Sequence, residues 1–101
     1  MLNTTMNVID GELFCTLEGR LDTLTAPEFD RVLEEAIVDV NRVTLDCGKL
    51  EYVSSAGLRT LLAAQQFLEE NNRGNVKVLH VLPAVKEILD VTGFTDVLEV
   101  E

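Results

Sequence analysis

Two hydroxyls stand side by side in Tyr52-Val53-Ser54-Ser55-Ala56-Gly57-Leu58-Arg59, where a β-branched stretch gives way to an apolar-periodic one. The pattern places both serines at a strand-to-helix junction. The first turn of a helix leaves backbone N–H groups unpaired, and the macrodipole is positive there. A phosphate carried by a serine at that point is held by those amides. The same position also suits a serine that only caps the helix through its side-chain oxygen. The segment therefore offers two roles, cap and phosphoacceptor, and two residues to fill them. Gly57, unfavourable inside a first helical turn, implies that something approaches the backbone closely there.

Other chemistries fail on the residues present. Asp46, near the end of a predicted central strand, suits a phospho-accepting aspartate of the receiver type. That chemistry also needs an acidic pair to hold Mg²⁺ and a lysine beside the phosphoryl group. Only Asp10, in a turn, follows the first strand, and no lysine follows the last. Asp46 is accordingly read as bonding to neighbouring loop amides. There is no GxxxxGK[ST] phosphate loop and no GxSxG elbow. The single histidine, His80, falls inside a predicted strand, and no His, Cys or carboxylate spacing suits a metal. Cys15 and Cys47 are far apart and read as two buried thiols of a cytosolic protein. No catalytic residue and no cofactor are expected.

The elements that position the serines follow from turn signals and periodicity. A length of 101 residues fits one domain. The hydrophobic fraction of 47% supports a core without disulfides or metal. Eight basic against 18 acidic residues give a net charge of −10. That balance argues against phosphate backbones and anionic membrane surfaces as partners, and leaves a basic protein partner open. No apolar run approaches a membrane span, and Met1–Asp10 lacks the features of a signal peptide, so a cytoplasmic location is expected.

Thr4 to Ile9 reads as a strand, Asp10-Gly11 as a hairpin turn, and Leu13, Cys15 and Leu17 as the buried side of a second, antiparallel strand. Gly19 to Leu24 reads as a loop. Thr25 is expected to cap the first helix, with Pro27 in its first turn and Glu28 completing a capping box. Phe29, Val32, Leu33, Ala36 and Ile37 supply its apolar face. Val43 to Cys47 forms the third strand, with a loop from Gly48. The second helix starts at the serines and stops at Asn71-Asn72-Arg73-Gly74, with Gly74 as the stop signal. Val76 to Val81 reads as a buried strand, Pro83 to Val91 as a third helix ended by Thr92-Gly93, and Val97 to Val100 as a last strand. The order β-β-α-β-α-β-α-β implies an α/β domain: a small mixed sheet with parallel crossovers, helices packed on it, and the Val43–Asp46 strand central.

Four segments together carry a family resemblance. They are Glu18-Gly19-Arg20-Leu21-Asp22, Val43-Thr44-Leu45-Asp46, Tyr52-Val53-Ser54-Ser55-Ala56-Gly57-Leu58-Arg59 and Thr92-Gly93-Phe94. In this order and spacing, across almost the whole chain, they resemble a STAS domain of the anti-sigma factor antagonist (anti-anti-sigma factor) family. The resemblance implies a non-enzymatic binding protein. Its partner would be an anti-sigma factor with a histidine-kinase-like ATPase fold, which phosphorylates a serine at the start of the second helix and releases the antagonist. A phosphatase would reverse this. The family's phosphoserine lies two residues before the motif glycine, which is Ser55 here, with Ser54 the second candidate. Asp22, Ser54, Ser55, Gly57 and Arg59 would form the partner-binding patch. The chain has Ser54 where well-known members carry an acidic residue, and Ala56 where they often carry a second serine. Two other readings compete: a STAS subunit of a lipid-transport or stress-signalling assembly without a phosphoswitch, and the receiver-type domain weighed above.

Overall fold

A computed structural model describes residues 1–101. The chain forms β1 (Leu2–Ile9), β2 (Glu12–Leu21), α1 (Ala26–Ala36), β3 (Arg42–Val53), α2 (Ser55–Glu70), β4 (Val76–Leu79), α3 (Pro83–Val91), a 3₁₀ turn (Phe94–Asp96) and β5 (Glu99–Val100). The expected order of elements is the observed one. The five strands lie in sequence order, β1-β2-β3-β4-β5, with β3 central. β1 and β2 are antiparallel, and every later pair is parallel.

The hairpin turns where Asp10-Gly11 predicts. Both residues have positive φ, 51° and 79°, the pairing that a two-residue turn needs, and Ile9 lies opposite Glu12. Alternation then decides what is buried. Leu13, Cys15 and Leu17 face the same side as their register partners in β3, Val43 and Leu45, and all five are buried. With Phe29 and Leu33 of α1, Leu58, Leu61 and Leu68 of α2, and Val85 and Leu89 of α3, they make one core cluster, so all three helices pack on this side of the sheet. The other side stays open and carries Asn3, Thr5, Phe14, Thr16 and Asp46. Both thiols are buried as expected, and burial pushes each up to about 12, so they are neutral and inert at ordinary pH.

Several boundaries differ from the sequence expectation. β2 continues to Leu21, through part of the expected loop. β3 runs past Gly48 to Val53, because register shifts between Thr16 and Glu18 and between Gly19 and Arg20 let β2 and β3 stay paired. Asp46 still bonds an amide, Gly48 N–H to Oδ1 at 3.0 Å, but within the strand and not in a loop. That N–H, partly offset by desolvation and assisted by His80, holds the Asp46 carboxyl below the usual aspartate range. β4 stops at Leu79, so His80 lies beyond the strand, at φ 57°, with Nδ1 3.2 Å from Asp46 Oδ1. The left-handed residue that ends α2 is Asn72, φ 54°, and not Gly74. Gly74 is needed for a close approach instead, since a Cβ there would sit 2.9 Å from the Asn41 carbonyl. The last strand shrinks to Glu99–Val100 because the chain first coils into the 3₁₀ turn after Gly93.

The parallel pair α1 and α2 is tied at its C-terminal ends. Arg73, just past α2, donates from Nη1 to the carbonyls of Ile37, Val38 and Val40 at 3.2, 2.7 and 3.0 Å. Its guanidinium also lies over the Phe67 ring, 5.5 Å from the centroid.

Candidate functional site

The ends of β2 and β3 bring the two predicted site segments together. Ser54 N–H donates to the Leu21 carbonyl at 2.9 Å, which fixes the start of α2 beside the loop that leads into α1.

That loop is organised by Asp22. Its Oδ1 accepts from Leu24 N–H at 3.0 Å and Thr25 N–H at 3.1 Å, with the Thr25 hydroxyl oxygen 3.2 Å away. Thr25 occupies the expected cap position but does not cap α1 through its side chain. Its Oγ1 donates to the Arg20 carbonyl and accepts from Asp22 N–H, and Glu28 pairs with Arg31 in place of closing a capping box. The Thr25 N–H, partly offset by desolvation, holds the Asp22 carboxyl below the ordinary value of 3.8. Asp22 is thus an anion at neutral pH whose Oδ1 is committed to the loop. Its Oδ2 faces Arg20 Nε at 3.8 Å.

At the second segment, Ser54 is the N-cap of α2, with extended backbone (φ −96°, ψ 176°), and its carbonyl accepts the first helical bond from Leu58 N–H at 2.9 Å. The expectation that its side-chain oxygen bonds the helix amides is not met. Ser54 Oγ is buried and has no hydrogen-bond partner. Ser55 is exposed. The first turn of α2 contains no acidic residue, so no carboxylate competes for its amides. Ser54→Ala should therefore leave the thermal midpoint unchanged or raise stability by about 1 kcal/mol, because it removes an unsatisfied buried hydroxyl. A loss of about 1 kcal/mol in thermal melts, the usual cost of deleting a capping serine, would show that the hydroxyl has a partner.

Gly57, placed by the resemblance in the contact patch, is buried and touches the protein's own interior. The close approach inferred from sequence is made by Leu21 and Val53. A Cβ on Gly57 would lie 2.6 Å from Leu21 Cγ and 2.8 Å from Val53 Cγ2. Arg59, one helical turn past Ser55, is exposed and forms no ion pair. It lines a notch with Ala26, Pro27, Asp30, Ala56 and Thr60, between the first turns of the two helices.

Three neighbours were not singled out from the sequence. The Arg20 guanidinium stacks on the Tyr52 ring, 4.5 Å from its centroid. Both residues belong to the quoted segments, but their contact depends on the shifted register that sets Arg20 opposite Tyr52. Leu24, at the tip of the Asp22 loop, is 90% exposed, an apolar side chain that only its neighbours on the folded surface mark as unusual. The patch thus combines an anion, a stacked cation, a free cation, a hydroxyl and one apolar tip. It holds no cluster of His, Cys or carboxylates that could bind a metal.

The fold bears on the receiver reading too. Doubly wound sheets bind at the point where strand order reverses. Here the order never reverses, and Asp46 is engaged with Gly48 and His80. No helix is long and apolar enough to cross a membrane.

Comparison with known proteins agrees with the fold and the motif. BtrV of Bordetella bronchiseptica, assigned as an anti-sigma factor antagonist, is 35% identical over 101 residues, covering 98% of this chain and 85% of that protein. An anti-sigma factor antagonist from Mycobacterium paratuberculosis superposes with a TM-score of 0.86 at 22% identity, over 99% of this chain and 85% of that one. The antagonist SpoIIAA, a Bacillus cell fate determinant, superposes in its unphosphorylated form with a TM-score of 0.78 at 17% identity, over 98% and 87% of the two chains. Its phosphorylated form gives 0.76. Residues 3–101 match the STAS domain family, and the chain belongs to it, with anti-sigma factor antagonists among its relatives.

Proposed function

We propose that this protein is a partner-switching antagonist. With a free hydroxyl on Ser55 it binds an anti-sigma factor that has a histidine-kinase-like ATPase fold and acts as a serine kinase; with a phosphate on Ser55 it is released. A phosphatase restores the binding form. The observation that carries this reading is the contrast between the two serines: Ser55 is exposed at the start of α2, whereas the Ser54 hydroxyl is buried. Asp22, Leu24 and Arg59 surround the switch as contact residues. Ser54 acts through its backbone, which joins β2 to α2, and Gly57 through its lack of a side chain. The existence of SpoIIAA in phosphorylated and unphosphorylated forms supports the reading by analogy.

The direct test supplies a cognate kinase and ATP and maps the modified peptide by fragment ions. Phosphate is expected on Ser55 alone, stable to mild base as a phosphoserine is. Phosphate on Ser54 alone, or a base-labile acyl phosphate on Asp46, would overturn the assignment.

A further inference from the structure

The sheet has two edges, and they are built differently. β5 is two residues long, and its end is covered by charge: Lys77 Nζ lies 3.4 Å from Glu99 and 3.1 Å from Glu101. Short length and charge are the usual protections of a sheet edge. β1 has neither. It runs eight residues, Leu2-Asn3-Thr4-Thr5-Met6-Asn7-Val8-Ile9, without a charge, a proline or a bulge. In a chain with 26 charged residues per 101, that omission is local to this strand.

The outward-facing groups of β1 can be identified. Arg20 N–H donates to the Met1 carbonyl at 3.0 Å, and the register from Leu2↔Gly19 to Ile9↔Glu12 is unbroken. In an antiparallel pair, alternate residues direct both N–H and C=O at the partner strand. The odd-numbered residues of β1 therefore bond β2, and Leu2, Thr4, Met6 and Val8 direct their N–H and C=O groups outward. These four side chains also lie on the helix-covered side, as their partners Gly19, Leu17, Cys15 and Leu13 show.

We infer that β1 is the pairing edge for a second copy of this chain, in a two-fold antiparallel arrangement centred on Thr5. In that register Leu2 of one copy faces Val8 of the other, Thr4 faces Met6, Asn3 faces Asn7, and Thr5 faces Thr5. On the helix side Leu2 meets Val8 and Thr4 meets Met6, and on the open side amides and hydroxyls meet their like. Centring on Met6 sets Asn3 against Ile9 and Thr4 against Val8; centring on Thr4 shortens the overlap. The Thr5 register also brings Val8, 58% exposed in the single chain, to the mouth of a cleft of about 280 Å³ lined by Leu2, Leu24, Phe29 and Val32. No like charges oppose each other along the strand. The net charge of −10 acts only at longer range, where salt screens it. The inference uses neither Ser55 nor Arg59, so it stands or falls apart from the phosphate switch, although it shares Leu24 with the proposed contact patch.

Sedimentation equilibrium tests it. The wild-type mass should rise with concentration from 11.2 kDa toward twice that value, and more readily at 0.15 M than at 0.01 M salt, two ionic strengths whose screening lengths differ about fourfold. Thr4→Pro removes an outward N–H and leaves the β2 ladder intact, so it should keep its circular dichroism and stay at the monomer mass. Thr5→Cys should form a covalent dimer in a glutathione redox buffer, because a non-hydrogen-bonded antiparallel pair sets Cα atoms about 4.5 Å apart. Thr4→Cys, which would face Met6, should not. A wild type that stays monomeric, a dimer that a folded Thr4→Pro leaves intact, or equal cross-linking of the two cysteine variants would overturn the inference. If Thr4→Pro fails to fold, the cysteine pair decides.

Discussion

Ser55→Ala is expected to hold an anti-sigma kinase persistently in the presence of ATP, while the phosphorylated wild type binds about a hundredfold more weakly or worse. Phosphorylation adds about −1.5 to −2 charges at neutral pH. A partner surface shaped for a neutral hydroxyl must either desolvate that charge or leave it unpaired, at a cost of several kcal/mol, and each 1.4 kcal/mol is tenfold in affinity. Ser55→Asp carries one charge in place of two and should weaken binding at least tenfold. The fold should survive all three changes. No acidic residue stands in the first turn of α2, and Arg59, four residues on, has no other ion partner. Titration calorimetry against the partner, with thermal melts as control, reads both effects. Equal affinities for Ser55→Ala and Ser55→Asp would refute the switch. Weak binding by Ser55→Asp together with a collapsed melting temperature would show that misfolding, and not interface charge, breaks the complex.

Gly57→Ala should cost about 1–3 kcal/mol of stability, a large effect for one methyl group on a helix, where alanine normally outranks glycine. Leu21 and Val53, the two side chains in the way, are 0% and 2% exposed, so neither has open space to swing into. Relief requires α2 to lift from the sheet at its first turn, which displaces Ser55. Shortening the obstacle should return part of the loss: in a double-mutant cycle, Leu21→Ala and Gly57→Ala should be less damaging together than their sum. A Gly57→Ala protein that melts with the wild type would mean that the start of α2 is looser than the contacts imply.

The fold was legible where a local signal coincided with long-range pairing. Asp10-Gly11 set the hairpin, alternation in β2 set the buried side, and Pro83 and Gly93 bracketed α3. Expectations failed where pairing overrode local chemistry. Gly48 reads as the start of a loop, but the shifted β2 register carries β3 on to Val53. Thr25 and Glu28 read as a capping box, but Asp22, three residues earlier, takes the amides and Arg31 takes Glu28. At the site, sequence located the serines and the need for Gly57. It could not show that the Ser54 hydroxyl is sealed off, nor that Arg20 meets Tyr52, because both depend on how two strand ends meet.

The bonds of Arg73 make the far end of the helix pair a cross-tie between distant parts of the chain. α1 and α2 run parallel, and one nitrogen joins the loop after α1 to the end of α2 through three carbonyls. The serine end is held separately, by the Ser54 N–H bond to the Leu21 carbonyl and by Gly57 seated against Leu21 and Val53, so the pair is tied at both ends. The Arg73 guanidinium is a rigid planar fork over Phe67, whereas a lysine ammonium is a mobile point charge without that fixed geometry. This one side chain thereby joins two stretches of chain 33 to 36 residues apart.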